Sequence, residues 1–262
     1  MKIQRTEQSS HWYYRDGTAC HEVIAKTTGL PRPTNVADAR KLNLVPSVTN
    51  ILNMKAKPAL NTWLQDNAIR AALATPQNPC EPEDQWHSRI AEESDRIGKE
   101  AAEWGTLIHA QLEALLTDGA FTATGEILDY VRGAETWLRE NVETVIQAEQ
   151  SVVGGLGYAG RLDVHAIMKG GRRAVIDFKS QKLIGKSKPS FYKEWAMQLA
   201  AYGDCLREPS DPLPDLISVI IPSDAPGPVF VKKWDNREAA LVAFHACFRL
   251  WCYDKDYQPL PA

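Results

Sequence analysis

Three residues carry the most chemical information in this 262-residue sequence: Asp163, Asp177 and Lys179. They stand in two short runs, Gly160-Arg161-Leu162-Asp163 and Val175-Ile176-Asp177-Phe178-Lys179-Ser180. The second run reads as a strand, and residues two apart in a strand share a face. Asp177 and Lys179 therefore point together, while Ile176 and Phe178 turn to the other side and can enter a core. Burying a carboxylate and an ammonium costs free energy unless they pair or meet a metal.

Whether Asp163 joins them depends on the connection Lys169-Gly170-Gly171-Arg172. A two-residue turn at Gly170-Gly171 sets Asp163 opposite Phe178, on the wrong face. A three-residue turn over 169–171 sets it opposite Asp177, and such turns favour glycine at their last, left-handed position, where Gly171 stands. We expect the odd-length turn or an equivalent bulge. Two converging carboxylates form a hard-oxygen site suited to Mg²⁺ or Mn²⁺. Such a metal activates water and stabilises charge on a phosphoryl oxygen. Lys179 is placed to orient the water or to stabilise the transition state. The competing reading of an isolated D-x-K is a surface ion pair; the apolar strand and the upstream Gly-x-x-Asp favour a site.

The motifs in chain order resemble a known family. Asp163…Asp177-Phe178-Lys179 resembles the signature of the PD-(D/E)XK nucleases, and of their RecB-like exonuclease branch in particular. Gly105-Thr106-Leu107-Ile108-His109 resembles that branch's GTxxH helix, and Gln198-x-x-x-Tyr202 its QxxxY helix. Pro46-Ser47-Val48-Thr49-Asn50-Ile51-Leu52 is similar to a segment of phage-type and mitochondrial-type relatives. The resemblance spans about 46–202. It implies a restriction-endonuclease-like α/β core, a central mixed sheet flanked by helices, with an N-terminal helical elaboration. It also implies Mg²⁺-dependent hydrolysis of DNA from an end, in phage-type recombination or repair. By the same resemblance His109, Asp163, Asp177 and the Phe178 carbonyl hold metal, and Gln198 and Tyr202 support Lys179. Glu149 matches an acidic position near the metal in some relatives; a plain surface carboxylate is the equal alternative. Arg161 departs from the small residue common at its position. The four-cysteine pattern of some relatives is missing, so no iron–sulfur cluster is expected.

Helical periodicity alone makes His109 an edge-of-core residue beside Ile108, Leu112, Leu115 and Leu116. Glu113 shares its face one turn on, either supporting the metal or solvated, with the solvated reading preferred. Gly105 is placed to let the helix approach the sheet. Gln198, beside the stripe Trp195, Leu199, Tyr202 and Leu206, is expected to hydrogen-bond Lys179 or a substrate phosphate.

These residues need elements to position them. The pattern predicts a hairpin over 11–25 around Asp16-Gly17, an irregular connection over 26–46, and helices over 48–54, 58–74, 83–117 (interrupted near Gly98) and 125–146. Strands follow at 149–154, 159–168 and 173–179, a helix at 190–207, strands at 216–222 and 228–234, and a helix at 236–253. This order suggests a single nuclease domain over 1–262, with a hairpin and helical part over 1–146 and a catalytic core over 147–262.

The net charge of −3 requires any phosphate-binding surface to be local. Eight Lys and Arg residues fall between 169 and 193, and Lys182, Lys186 and Lys188 are the expected DNA rim, with Ser180 and Arg161 as further contacts. Tyr192 and Trp195 are candidates for base stacking, with a core role the preferred reading for Trp195. Five cysteines with no CxxC read as small apolar side chains in a reducing compartment. No run of about 20 apolar residues spans a membrane, and the first residues lack a signal peptide's apolar run, so a cytoplasmic protein acting on single-stranded or end-containing DNA is expected. An endonuclease of the same fold, a non-catalytic DNA-binding or assembly module, and a hydrolase of small phosphoesters are the alternatives.

Overall fold

A computed structural model describes residues 11–122, 125–183, 188–208 and 210–259. It is a mixed α/β structure built on one five-stranded sheet, with strands in the order β5 (Val142–Gly154), β6 (Tyr158–Met168), β7 (Arg173–Gln181), β8 (Asp215–Pro222) and β9 (Phe230–Trp234). Neighbours are antiparallel except β7 and β8, which are parallel. Parallel neighbours need a crossover, and helix α6 (Lys193–Cys205) supplies it. Every residue of β8 is buried, as expected for a central strand covered on both faces.

Each face of the sheet has its own core. On one side α2 (Val48–Leu52), α6 and α7 (Arg237–Asp254) pack against Leu162, Val175 and Leu216. On the other, α4 (Glu83–Asp118) and α5 (Ile127–Asn141) pack against Val164, Ile176, Phe178 and Val219. The alternation read from Asp177-Phe178-Lys179 thus has a physical basis: Phe178 is 1% exposed among α4 and α5 residues.

The 36 residues of α4 make a rod about 54 Å long. Its C-terminal half brings Ile108 and Leu112 into the core, and its N-terminal half packs against α3 (Pro58–Ala74). Gly98 does not interrupt it, contrary to expectation; a side chain there would only touch Trp63. The expected α3 limits hold, with Pro58 in the first turn, and Ser47 caps α2 through a bond from the Asn50 amide at 3.0 Å.

Three expectations need correction. The expected hairpin is present only over 12–20, with the Tyr14 amide on the Thr18 carbonyl and the Cys20 amide on the Trp12 carbonyl, both at 2.8 Å; the longer strand pairings of this region lie elsewhere. β1 (Trp12–Tyr13) pairs β4 (Val45–Pro46), and β2 (Glu22–Ile24) pairs β3 (Pro31–Pro33). Within the expected irregular stretch 26–46 lies helix α1 (Val36–Leu42), closed by a reciprocal Asn35–Asp38 capping box. Helix α5 ends at Asn141 and the chain enters β5 at Val142, because pairing with β6 from Met168 onward claims 142–146.

Cys20 and Cys252 are buried in the core, Cys205 and Cys247 pack against it, and Cys80 is exposed. Among the described residues no helix is long and apolar enough to cross a membrane.

Candidate metal centre

The site forms where two strands part. β6 and β7 pair from Ile167↔Arg173 to Val164↔Ile176. Their connection is the three-residue turn over 169–171, closed by the Met168 amide on the Arg172 carbonyl at 2.8 Å. Gly171 has φ 82° and Gly170 φ 105°, values that disfavour any residue with a Cβ. The expected odd register is therefore present. Continued one step, it sets Asp163 across from Asp177, yet regular pairing stops before them. Leu162 packs on the α6/α7 side and Val164 on the α4/α5 side, although residues two apart should share a face. β6 switches faces at Asp163. Its carboxylate lies in the resulting seam, where Oδ2 accepts a hydrogen bond from the Phe178 amide at 2.7 Å.

The same irregularity appears on the other side of β6. The pairs Ala148↔Val164 and Gln150↔Leu162 put Glu149 across from Asp163, and Glu149 has φ 51°. A left-handed conformation at a non-glycine residue costs roughly 1–2 kcal/mol, so surrounding contacts must hold it. His109, on α4, reaches the seam from one face, with Nδ1 at 3.8 Å from Asp163 Oδ2. One ligand atom from each of His109, Glu149 and Asp163 falls within 4.8 Å of the others. Gly105, one turn before His109, lets α4 approach: a Cβ there would lie 3.0 Å from Ser180 Oγ.

Asp177 and Lys179 sit beside this cluster on β7. Asp177 is 2% exposed; its Oδ1 accepts from Lys179 Nζ at 2.6 Å, and its Oδ2 is buried with no hydrogen-bond partner among the described residues. Burial pushes the Asp177 carboxyl well above the ordinary carboxylate range, Asp163 pushes the same way, and Lys179 opposes both. Burial also acts against the Lys179 ammonium, but the charges of Asp177 and Asp163 outweigh it and leave its pKa above the usual lysine value. The Lys179 ammonium lies 6.0 Å from the centre of the Trp195 ring.

Glu149 is half of a second ion pair. Arg161 Nε bonds Glu149 Oε2 at 2.8 Å and its other end bonds Glu113 Oε1 at 2.7 Å, bridging β5 to α4. Both residues thus differ from expectation: Glu113 is not merely solvated, and the Arg161 guanidinium already has two carboxylate partners. Burial, then the nearby Asp163, raises the Glu149 carboxyl from 4.5 to about 7 despite Arg161. Gln198 is also engaged otherwise than expected, since its Nε2 donates to the Tyr202 hydroxyl at 3.1 Å and not to Lys179. Tyr202 is 3% exposed, with its ring against Gly160 so closely that a Cβ there would stand 2.5 Å away. These helix residues brace β6 just before Asp163.

The basic run divides. Lys182 and Lys188 are exposed past the end of β7, Ser180 is half-buried, and Lys186 lies outside the described residues. The chain after β7 is tied down where the Leu183 amide meets both oxygens of Asp224 at 3.0 Å. Lys169 instead bonds the Arg139 carbonyl, and Arg172 is neutralised by Asp215 at the far end of the sheet. The rim is therefore shorter than the eight-residue run suggested. Asp215, which also binds Lys233 and Arg237, went unnoticed in the sequence because its partners come from three separate segments.

No protein-family model matches the chain, and no curated protein sequence matches it. Among solved structures, the crystal structure of SSO0001 is similar at 17% identity and a TM-score of 0.31, over 73% of this chain and 86% of that one, a likeness too weak to carry an argument.

Proposed function

We propose that this chain is a metal-dependent deoxyribonuclease with a PD-(D/E)XK core, acting from a DNA end. One observation carries the reading: Asp163 fills a seam between two parting strands, with His109 and Glu149 on one side and the buried Asp177, paired with Lys179, on the other. A buried carboxylate oxygen of Asp177 with no hydrogen-bond partner among the described residues, and an imidazole with two carboxylates beside it, form a donor set suited to Mg²⁺ or Mn²⁺. His109, Glu149, Asp163 and Asp177 would hold the ion, which supplies an acidified water and charge stabilisation at the phosphoryl group.

The remaining roles belong to the chain. Lys179, held by Asp177, orients the attacking water or offsets charge developing on the phosphate. Arg161 holds Glu149 toward the seam. Tyr202 and Gln198 brace β6 from α6. Lys182 and Lys188 supply a sequence-independent phosphate rim.

The test is one digestion series with 5′-labelled, 3′-labelled, single-stranded, duplex and covalently closed circular DNA, in Mg²⁺ or in EDTA. Mg²⁺-dependent loss of linear but not circular DNA is expected. Cleavage of the circle makes the chain an endonuclease. Cleavage that persists in Asp177→Ala refutes the assignment, and DNA binding without any cleavage makes the chain a binding module.

A further inference from the structure

A cavity of about 410 Å³ opens at the end of β7 remote from Lys179. Its volume falls within the range of small-molecule sites. Around it stand His165 from β6, Arg172 and Arg173 at the start of β7, Arg207 and Asp211 beyond α6, and Arg237 at the start of α7.

The charges do not balance. Asp215 is shared by Arg172 and Lys233, each at 2.5 Å, and by Arg237 at 3.2 Å, while Arg207 pairs with Asp204 at 2.9 Å. Among the lining residues one carboxylate, Asp211, thus stands with four guanidiniums, three of them paired with Asp215 or Asp204. The Arg173 side chain is exposed and has neither a hydrogen bond nor an ion pair among the described residues. His165 is 6% exposed, and its Nδ1 is buried with no hydrogen-bond partner among the described residues. An imidazole beside an exposed guanidinium in the wall of this cavity offers hydrogen-bond donors to an anionic ligand. A guanidinium presents two parallel donors that match phosphate oxygens.

We propose that this cavity binds a phosphate monoester, with Arg173 as its principal charge partner and His165 as a hydrogen-bond donor within it. The group has two possible sources, a free mononucleotide or the phosphorylated end of a nucleic-acid strand. Six residues of strand separate Arg173 from Lys179, roughly 20 Å, so a phosphate held here is not the one at the metal centre. Binding at this cavity does not depend on the nuclease reading.

Isothermal titration of the full chain in EDTA tests it, using inorganic phosphate, dAMP, deoxyadenosine, and one oligodeoxynucleotide with and without a 5′-phosphate. Phosphate and dAMP should bind and deoxyadenosine should not. Arg173→Ala should weaken dAMP about tenfold or more while melting as the wild type does, and Arg173→Lys should fall between. A matching dependence on the 5′-phosphate of the oligonucleotide assigns the strand end; tight dAMP binding without that dependence assigns the free nucleotide. Equal binding of dAMP and deoxyadenosine, absence of phosphate and dAMP binding, or wild-type affinity in Arg173→Ala overturns the proposal. So does loss of dAMP binding in Asp177→Asn, which would move the phosphate to the seam.

Discussion

The Asp163 carboxylate accepts the Phe178 amide at 2.7 Å, just beyond the last backbone pairing of β6 and β7. A side chain thus takes over a ladder bond, and the strands part without leaving that amide unsatisfied. The seam places Asp163 between α4 and the Asp177–Lys179 pair.

Asp177 in that pair is buried and Lys179 is half-buried, so the two members should be unequal to remove. Lys179→Met leaves Asp177 without its cation and is expected to cost about 3 kcal/mol in urea unfolding. Asp177→Asn combined with Lys179→Met should recover most of that loss while leaving cleavage abolished. A double variant no more stable than Lys179→Met would show that the pair is not the cause.

Metal affinity should follow the donor cluster. Titration of Mn²⁺ into His109→Ala, Glu149→Ala and Asp163→Ala should show at least about tenfold weaker binding in each. In the wild type, Mn²⁺ at about 100 times its Kd should stabilise the fold by about 2.7 kcal/mol. Unchanged affinity in all three variants would place the ion elsewhere.

Glu149 gives a pH dependence of definite sign. Burial and Asp163 raise its folded pKa from 4.5 to about 7, so the folded state binds more protons than the unfolded one between these values. Its contribution to stability is therefore fully present below about 4.5 and is lost as pH rises through about 7. In EDTA, Glu149→Gln should gain stability relative to the wild type as pH rises from about 5 to about 8, as read by urea unfolding at each pH. A constant difference across that window contradicts the assignment.

Replacing Lys182, Lys186 and Lys188 by alanine should raise the apparent KM for single-stranded DNA. The log–log salt slope should become shallower by about 2, from roughly 0.7 for each phosphate that is no longer neutralised. A slope identical to the wild type would remove the rim from the DNA path.

Much of this was legible in the residues. Pro58 and the helical period of 58–74 determine α3, and Ser47 determines the start of α2, because caps and periodicity are local. The glycines of the 169–171 turn determine the register that brings Asp163 level with Asp177, since residues without a Cβ best tolerate the positive φ found there. Strand alternation alone places Asp177 with Lys179. Residues 142–146 were not legible, because their pattern suits a helix or a strand and the edge of β6 decided it. The face switch at Asp163, the left-handed Glu149 and the Arg161 bridge to Glu113 were likewise settled only by tertiary structure. Each depends on groups distant in sequence meeting at a seam, and local preference carries no information about which partner will be there.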